Sequence, residues 1–225
     1  MFKNLIALFI ATAFLTGCSY TKPEPLQSVS QLKGKRIATK TQASKSYEAN
    51  NVGQQLLGDF SNWLAGPTAP VQSSNSSALA RKHGIKDPAI NFLSSLSKEI
   101  SKNHGAYITT PKPDSFYNYP DEVSFADKHN SDIILSASTS RFKSDFYNID
   151  PRKYHTKVSL YTIMRNGKNG AIMFSHRCNY ATPYKNSLEA PNWDTLFANN
   201  AQAVKDIADK ATSFCVQDTM NALNN

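Results

Sequence analysis

The feature that most narrows the fold is Asn166-Gly167-Lys168-Asn169-Gly170, a turn sequence set between two runs of alternating side chains. Asn-Gly pairs accept the left-handed backbone of tight hairpins, so the flanking runs are expected to fold back on each other as antiparallel strands. Before the turn, Tyr154 to Arg165 places Thr156, Val158, Leu160, Thr162 and Met164 on one face at a period of two. After it, Ala171 to Tyr180 places Ile172, Phe174, His176, Cys178 and Tyr180 on one face. Asp132 to Phe142 supplies a third neighbouring strand, and its Ile133-Ile134-Leu135 start reads as buried on both faces. A meander of this kind needs a cover. Asn192 is placed to cap a helix from Trp193 to about Leu223. Its stripe of Trp193, Leu196, Phe197, Ala203, Val204, Ile207, Ala211, Phe214 and Cys215 continues for about six turns.

The first half of the chain adds a crossover. Lys35 to Lys40 reads as a short strand, and Ala106 to Thr110 as another. Between them, Asp87-Pro88 is an N-cap followed by proline at the first helical position, opening a helix with a buried stripe of Ile90, Leu93, Leu96 and Ile100. Tyr47 to Leu64 has apolar residues at helical spacing, and Gly66-Pro67 ends it. Gly66 to Ser77 and Pro111 to Pro120 read as loops, and Glu122 to His129 as a short helix. The expectation is an α/β (α+β) domain. It has a mixed sheet of about five strands, βαβ followed by a three-strand antiparallel meander, with the long C-terminal helix packed on the sheet.

The chain begins with Lys3 and an apolar run from Leu5 to Leu15, followed by Thr16-Gly17-Cys18. A positive start, a short apolar core and small residues before a cut are the parts of a secretory signal. The run is far shorter than the roughly 20 residues of a membrane-spanning helix. Leu15-Thr16-Gly17-Cys18 resembles the lipobox of bacterial lipoproteins, which implies cleavage between Gly17 and Cys18 and fatty acylation (palmitate among the chains) of the Cys18 thiol. Two or more chains anchor a protein stably where one binds only marginally. Ser19 stands where an Asp retains enteric lipoproteins in the inner membrane, so the resemblance implies the periplasmic face of the outer membrane. Residues 1–17 are thus read as signal peptide, 18–31 as a lipidated tether containing Pro23 and Pro25, and 32–225 as a single periplasmic domain.

Removing the signal leaves 208 of 225 residues and takes away Lys3 and no acid, so the net charge falls from +8 to +7. That balance suits anionic head groups or acidic glycans, although the lysines and arginines are dispersed and dispersed lysines ordinarily serve solubility. Nucleic acid is excluded as a partner by the compartment. Of the three cysteines, acylation of Cys18 leaves Cys178 and Cys215 as an even pair in an oxidising space, where disulfides persist. Both fall on apolar faces expected to pack together. The alternative, a reactive thiol, lacks a C-x-x-C companion.

The order of elements is similar to the small α/β fold of several envelope lipoproteins: the curli-secretion lipoprotein, penicillin-binding-protein activator lipoproteins and the amino-terminal domain of TolB. Gly84-Ile85-Lys86-Asp87-Pro88-Ala89 and Leu196-Phe197-Ala198-Asn199-Asn200-Ala201, with Cys178 and Cys215, resemble a group of uncharacterised outer-membrane lipoproteins. The resemblance implies protein–protein work in the envelope and carries no catalytic residue.

Chemistry is thinly represented. His83, His104 and His129 each precede Gly or Asn where a helix ends, the pattern of a C-cap. His155 and His176, on neighbouring strands, offer a two-ligand metal site at most, short of a zinc set. Neither G-x-S-x-G, S-x-x-K, H-E-x-x-H nor a phosphate-cradling glycine loop occurs. No catalytic residue, metal or cofactor is expected. The first functional reading is a non-enzymatic accessory or scaffold of an envelope assembly or secretion complex, meeting a protein partner or further copies of itself. Its surfaces are the stripe Leu56, Phe60 and Trp63 and the loop residues Phe116, Tyr117 and Tyr119. The alternative is a binder of cell-wall glycan, lipopolysaccharide or a small hydrophobic ligand.

Overall fold

Strand β1, Arg36–Thr41, is the hub of the sheet. In the computed structural model, which describes residues 26, 28–42, 46–49, 76–110, 114–115, 121–147 and 149–225, its neighbours come from both halves of the chain. The principal strand order is β3-β1-β5-β6-β7. Strand β3 (Tyr107–Ile108) and β5 (Ile133–Tyr147) run parallel to β1 on either side. Strands β6 (Asp150–Asn166) and β7 (Ile172–Ala181) continue from β5 as an antiparallel meander. This is the expected mixed sheet of about five strands, βαβ followed by an antiparallel meander, with β1 placed between β3 and β5.

Two further strands, of two residues each, were not legible in the sequence. Glu48–Ala49 (β2) pairs parallel with Lys143-Ser144, beyond the point where β1 leaves the side of β5. Asp114–Ser115 (β4) pairs with Lys40-Thr41 of β1. The first corrects the helix expected over Tyr47 to Leu64 at its start, since Glu48–Ala49 is a strand; residues 50–64 of that expectation lie outside the described residues. Tyr47 is buried, donates its hydroxyl to Ser144 Oγ at 2.8 Å and packs edge-on to Phe142, so long-range burial overrides local periodicity. The second corrects the loop reading of Pro111 to Pro120 at those two positions. The loop expected over Gly66 to Ser77 is likewise cut short, because helix α1 (Ser76–Lys82) begins inside it.

Helix α2, Pro88–His104, has the predicted ends: Asp87 accepts from the Ala89 amide at 2.9 Å, and Gly105 closes the helix at φ +67°. Left-handed backbone there is what glycine supplies without a Cβ penalty. The buried stripe is Ala89, Phe92, Leu93, Leu96 and Ile100, each fully buried large side chain contributing about 1.5–3 kcal/mol. Ile90 is not part of it: it lies about 100° further round the helix than Ala89 and is 45% exposed.

Helix α4, Trp193–Asn224, starts as predicted, with Asn192 Oδ1 accepting from the Thr195 amide at 2.8 Å. It is not the continuous rod that its stripe suggested. Ala198 is extended, and Asn199, Asn200 and Ala201 all have positive φ of 49°, 60° and 58°. Asparagine tolerates that conformation, whereas alanine bears a cost of about 1–2 kcal/mol; Ala201 is fully buried, so its burial holds the kink. Past the kink, Val204, Ile207, Ala208, Ala211, Cys215 and Met220 are buried in the main core, while Phe214 is 47% exposed beside Tyr180.

Helices α2 and α4 cover one face of the sheet and enclose the main core. Helix α3, Glu122–Lys128, covers the start of the other, packing Phe125 and Ala126 on Ala38 and Ile134. The meander's registers carry bulges. Ser140 is an extra residue in β5, and a shift between Met164 and Arg165 pairs Ile172 with Arg165 rather than along the core face. Since one extra residue reverses the side on which a strand's later residues point, Ile172 leaves the face it was expected to share with Phe174 and His176. Among the described residues no helix is long and apolar enough to cross a membrane.

Candidate functional site

Of the residues singled out in the sequence, Gly17, Cys18, Leu56, Phe60, Trp63, Phe116, Tyr117 and Tyr119 lie outside the described residues. Cys178 and Cys215 form a disulfide, with Cα atoms 5.5 Å apart, joining β7 to α4. Both are buried, at 1% and 0% exposure, and the join is flanked by His176 Nε2 against Asp218 Oδ2 at 2.8 Å.

The histidines behave largely as their neighbours foretold. Gly84, Gly105 and Asn130, which follow His83, His104 and His129, all have positive φ at the ends of α1, α2 and α3. The His155–His176 pairing does not form. His155 lies opposite Asp145 and His176 opposite Thr162, so seven residues of β6 separate them, about 23 Å at strand rise. They also point to opposite faces. Among the described residues no group of three or more His, Cys, Asp or Glu side chains converges on a metal position.

Two polar constellations emerge that sequence reading missed. The first is a buried ion cluster where α3 meets the sheet. Lys40, 0% exposed, pairs with Glu122 Oε2, while Arg165 Nε stands 3.4 Å from Glu122 Oε1. The Lys40 ammonium also lies 5.2 Å from the Phe125 ring centroid. Burial, with Arg165 adding repulsion against Asp121's attraction, draws the Lys40 ammonium down to about 8. Nearby, Asp132 accepts from the Arg36 amide at 2.9 Å and from its guanidinium at 3.1 Å, and those bonds hold the Asp132 carboxyl below its usual range. Both clusters tie the N-terminal ends of α3 and β5 to β1.

The second is the side of the meander beyond α3, over which no described helix packs. Alternation puts Ser138, Arg141 and Lys143 of β5, Lys157, Ser159 and Tyr161 of β6, and Arg177 and Asn179 of β7 there. Tyr161 lies opposite Arg177, whose guanidinium is 5.9 Å from the ring centroid. Ser159 donates to Asn179 Oδ1 at 2.7 Å. Lys143 and Lys157 are directly opposite one another, a like-charge pairing that costs stability, and Asp145 lies 2.8 Å from Lys143. The signal for this face was the polar half of the alternation in β6. A groove of about 650 Å³ between α2 and α4 is lined mainly by amides and hydroxyls, including Asn103, Thr212, Gln217 and Asn221.

No family model matches this chain, and no curated protein matches it. Among solved structures, lipoprotein GNA1162 from Neisseria meningitidis aligns at 12% identity over 78% of this chain and 99% of that one, with a TM-score of 0.30. The PelC dodecamer from Paraburkholderia phytofirmans aligns at 10% identity over 85% of this chain and 91% of that one, with a TM-score of 0.33. The LpoB C-terminal domain from Salmonella enterica aligns at 12% identity over 69% of this chain and 88% of that one, with a TM-score of 0.34. Likeness this distant assigns neither a family nor an activity.

Proposed function

We propose that the chain is exported, cut before Cys18 and held by acyl chains on that cysteine at the periplasmic face of the outer membrane. There domain 32–225 serves, without catalysis, as an accessory or scaffold component of an envelope assembly or secretion complex. The observation that carries this reading is the use of cysteine. With Cys178 and Cys215 joined, Cys18 is the one cysteine left in the sequence, and it stands directly after Leu15-Thr16-Gly17. A disulfide between two buried positions fits an oxidising compartment, and a lone cysteine after small residues fits acylation. Residues 18–31 are the proposed tether, but its last part is docked: the Leu26 amide donates to the Met173 carbonyl at 2.8 Å, and Val29–Leu32 forms a 3-10 turn on the core. The span left to reach the membrane, Cys18 to Pro25, covers at most roughly 28 Å. Leu56, Phe60 and Trp63 and the aromatic residues Phe116, Tyr117 and Tyr119 are the surfaces assigned to a protein partner or to a second copy.

The test is fractionation of cells expressing the chain or its Cys18→Ala variant, with metabolic palmitate labelling. The reading expects the natural protein in the outer-membrane fraction carrying label, and the variant unlabelled and displaced from that fraction. Label retained by Cys18→Ala would refute the anchor. Crosslinking in intact cells that returns the protein alone and monomeric would refute the docking role.

A further inference from the structure

We infer that the polar face of the meander, opposite the main core, is a binding surface for an anionic glycan, a sugar chain bearing carboxylates or phosphates. This goes beyond the scaffold role and does not rest on the anchor, because it concerns the folded domain alone. Four cations stand on three adjacent strands: Arg141 and Lys143 on β5, Lys157 on β6 and Arg177 on β7. Strand spacing and rise put them within about 10 Å by 13 Å. Among the described residues, the acids beside these rows are Asp145, engaged with Lys143, and Glu48, which pairs in register with Lys143, while Asp121, Glu122 and Asp127 stand at α3 over the far end of the same side. His155 faces the same way beside Asp145, and Arg165 at the far end is engaged with Glu122. Among the described residues, Arg141, Lys157 and Arg177 have no carboxylate within ion-pair distance.

Among the described residues the excess on these rows is therefore positive, and it lies where no described helix packs on the sheet. Placing Lys143 directly across from Lys157 works against the fold, and an anion bridging them would relieve that repulsion. Between the cations lie groups suited to sugar rather than to bare charge. Tyr161 offers a ring with a polar tip, and Ser138, Ser159 and Asn179 offer hydroxyl and amide bonds at successive rows of the same face. A lipid surface is the poorer fit. The exposed large apolar side chains of the described residues, Ile90, Tyr107, Ile149, Leu188 and Phe214, all lie off the rows from Ser138 to Lys143, which leaves nothing there to enter acyl chains.

The test uses the full chain in neutral detergent. Its binding to polygalacturonate is measured at low and high salt, beside neutral dextran, mixed micelles containing phosphatidylglycerol, and single-stranded DNA. The inference expects salt-sensitive binding to polygalacturonate and none to dextran. Lys157→Gln with Arg177→Gln should weaken it roughly tenfold or more, while Lys98→Gln with Lys102→Gln, the same charge removed from the exposed face of α2, should leave it within about twofold. Arg141→Gln, a change at an exposed position, should weaken it about threefold even if the double variant fails to fold. Absence of polygalacturonate binding, equal loss in both double variants, or preferential binding of the lipid micelles or DNA would overturn the inference.

Discussion

Replacing both Cys178 and Cys215 by alanine tests how the long helix is secured. The two residues are separated by 37 positions. The chain-entropy relation for a loop of that length gives about 13 cal/mol/K, or roughly 4 kcal/mol at room temperature, withdrawn from the unfolded state. Lost packing around two buried side chains adds to the deficit. The fold itself should survive, because Val204, Ile207, Ala211 and Met220 still bury α4 against the sheet and core. For a chain of this size the expected fall in Tm is about 8–16 °C. Equilibrium urea unfolding of the oxidised protein and the double variant measures the difference directly, and the two cooperative transitions should be separated by about 4 kcal/mol. Both sulfurs are buried, so dithiothreitol should reduce the native protein slowly and far faster as urea opens the domain. A stability loss below about 1 kcal/mol, or reduction that ignores urea, would refute this account of the disulfide.

Other outcomes follow from the buried cluster and the hairpin. Lys40 has a folded value of about 8, below its ordinary 10.5, so folding releases its proton and its contribution to stability rises with pH between those values. Lys40→Met should therefore lose ground to the natural protein as pH increases from 8 to 10.5 in denaturant titrations; parallel curves would contradict this. Glu122→Ala, which strands Lys40 and Arg165 together, should cost about 3–5 kcal/mol at neutral pH. Gly167→Ala should cost about 1–3 kcal/mol by thermal melts, because a Cβ there would sit 2.7 Å from the Ser131 carbonyl oxygen and 3.0 Å from that of Asp132.

What the sequence disclosed and what it hid divide along physical lines. Local rules sufficed for β6, whose strict alternation matches its burial, for the Asn166–Gly170 turn, and for α2, whose caps Asp87 and Gly105 are where they should be. Long-range pairing makes β2 and β4, and two residues carry no period to detect. Helix α1 was invisible because its one side chain described as buried is that of Ala80. In α4, Asn199-Asn200 was the available sign of the left-handed kink, overshadowed by an apolar stripe that resumes at Ala203. The bulge that turns Ile172 away from the core depends on pairing with Arg165, which no single strand encodes. Lys40 illustrates the limit for the site, since a lysine in a basic stretch reads as solvated surface until Glu122, 82 residues away, is folded against it.

Intact and N-terminal mass spectrometry of protein purified from its own membranes, without reductant, bears most directly on the central claim. The account predicts a chain that begins at acylated Cys18 and is lighter by two hydrogens for the Cys178–Cys215 bond. An unmodified Cys18, a different first residue, or free thiols at Cys178 and Cys215 would contradict it.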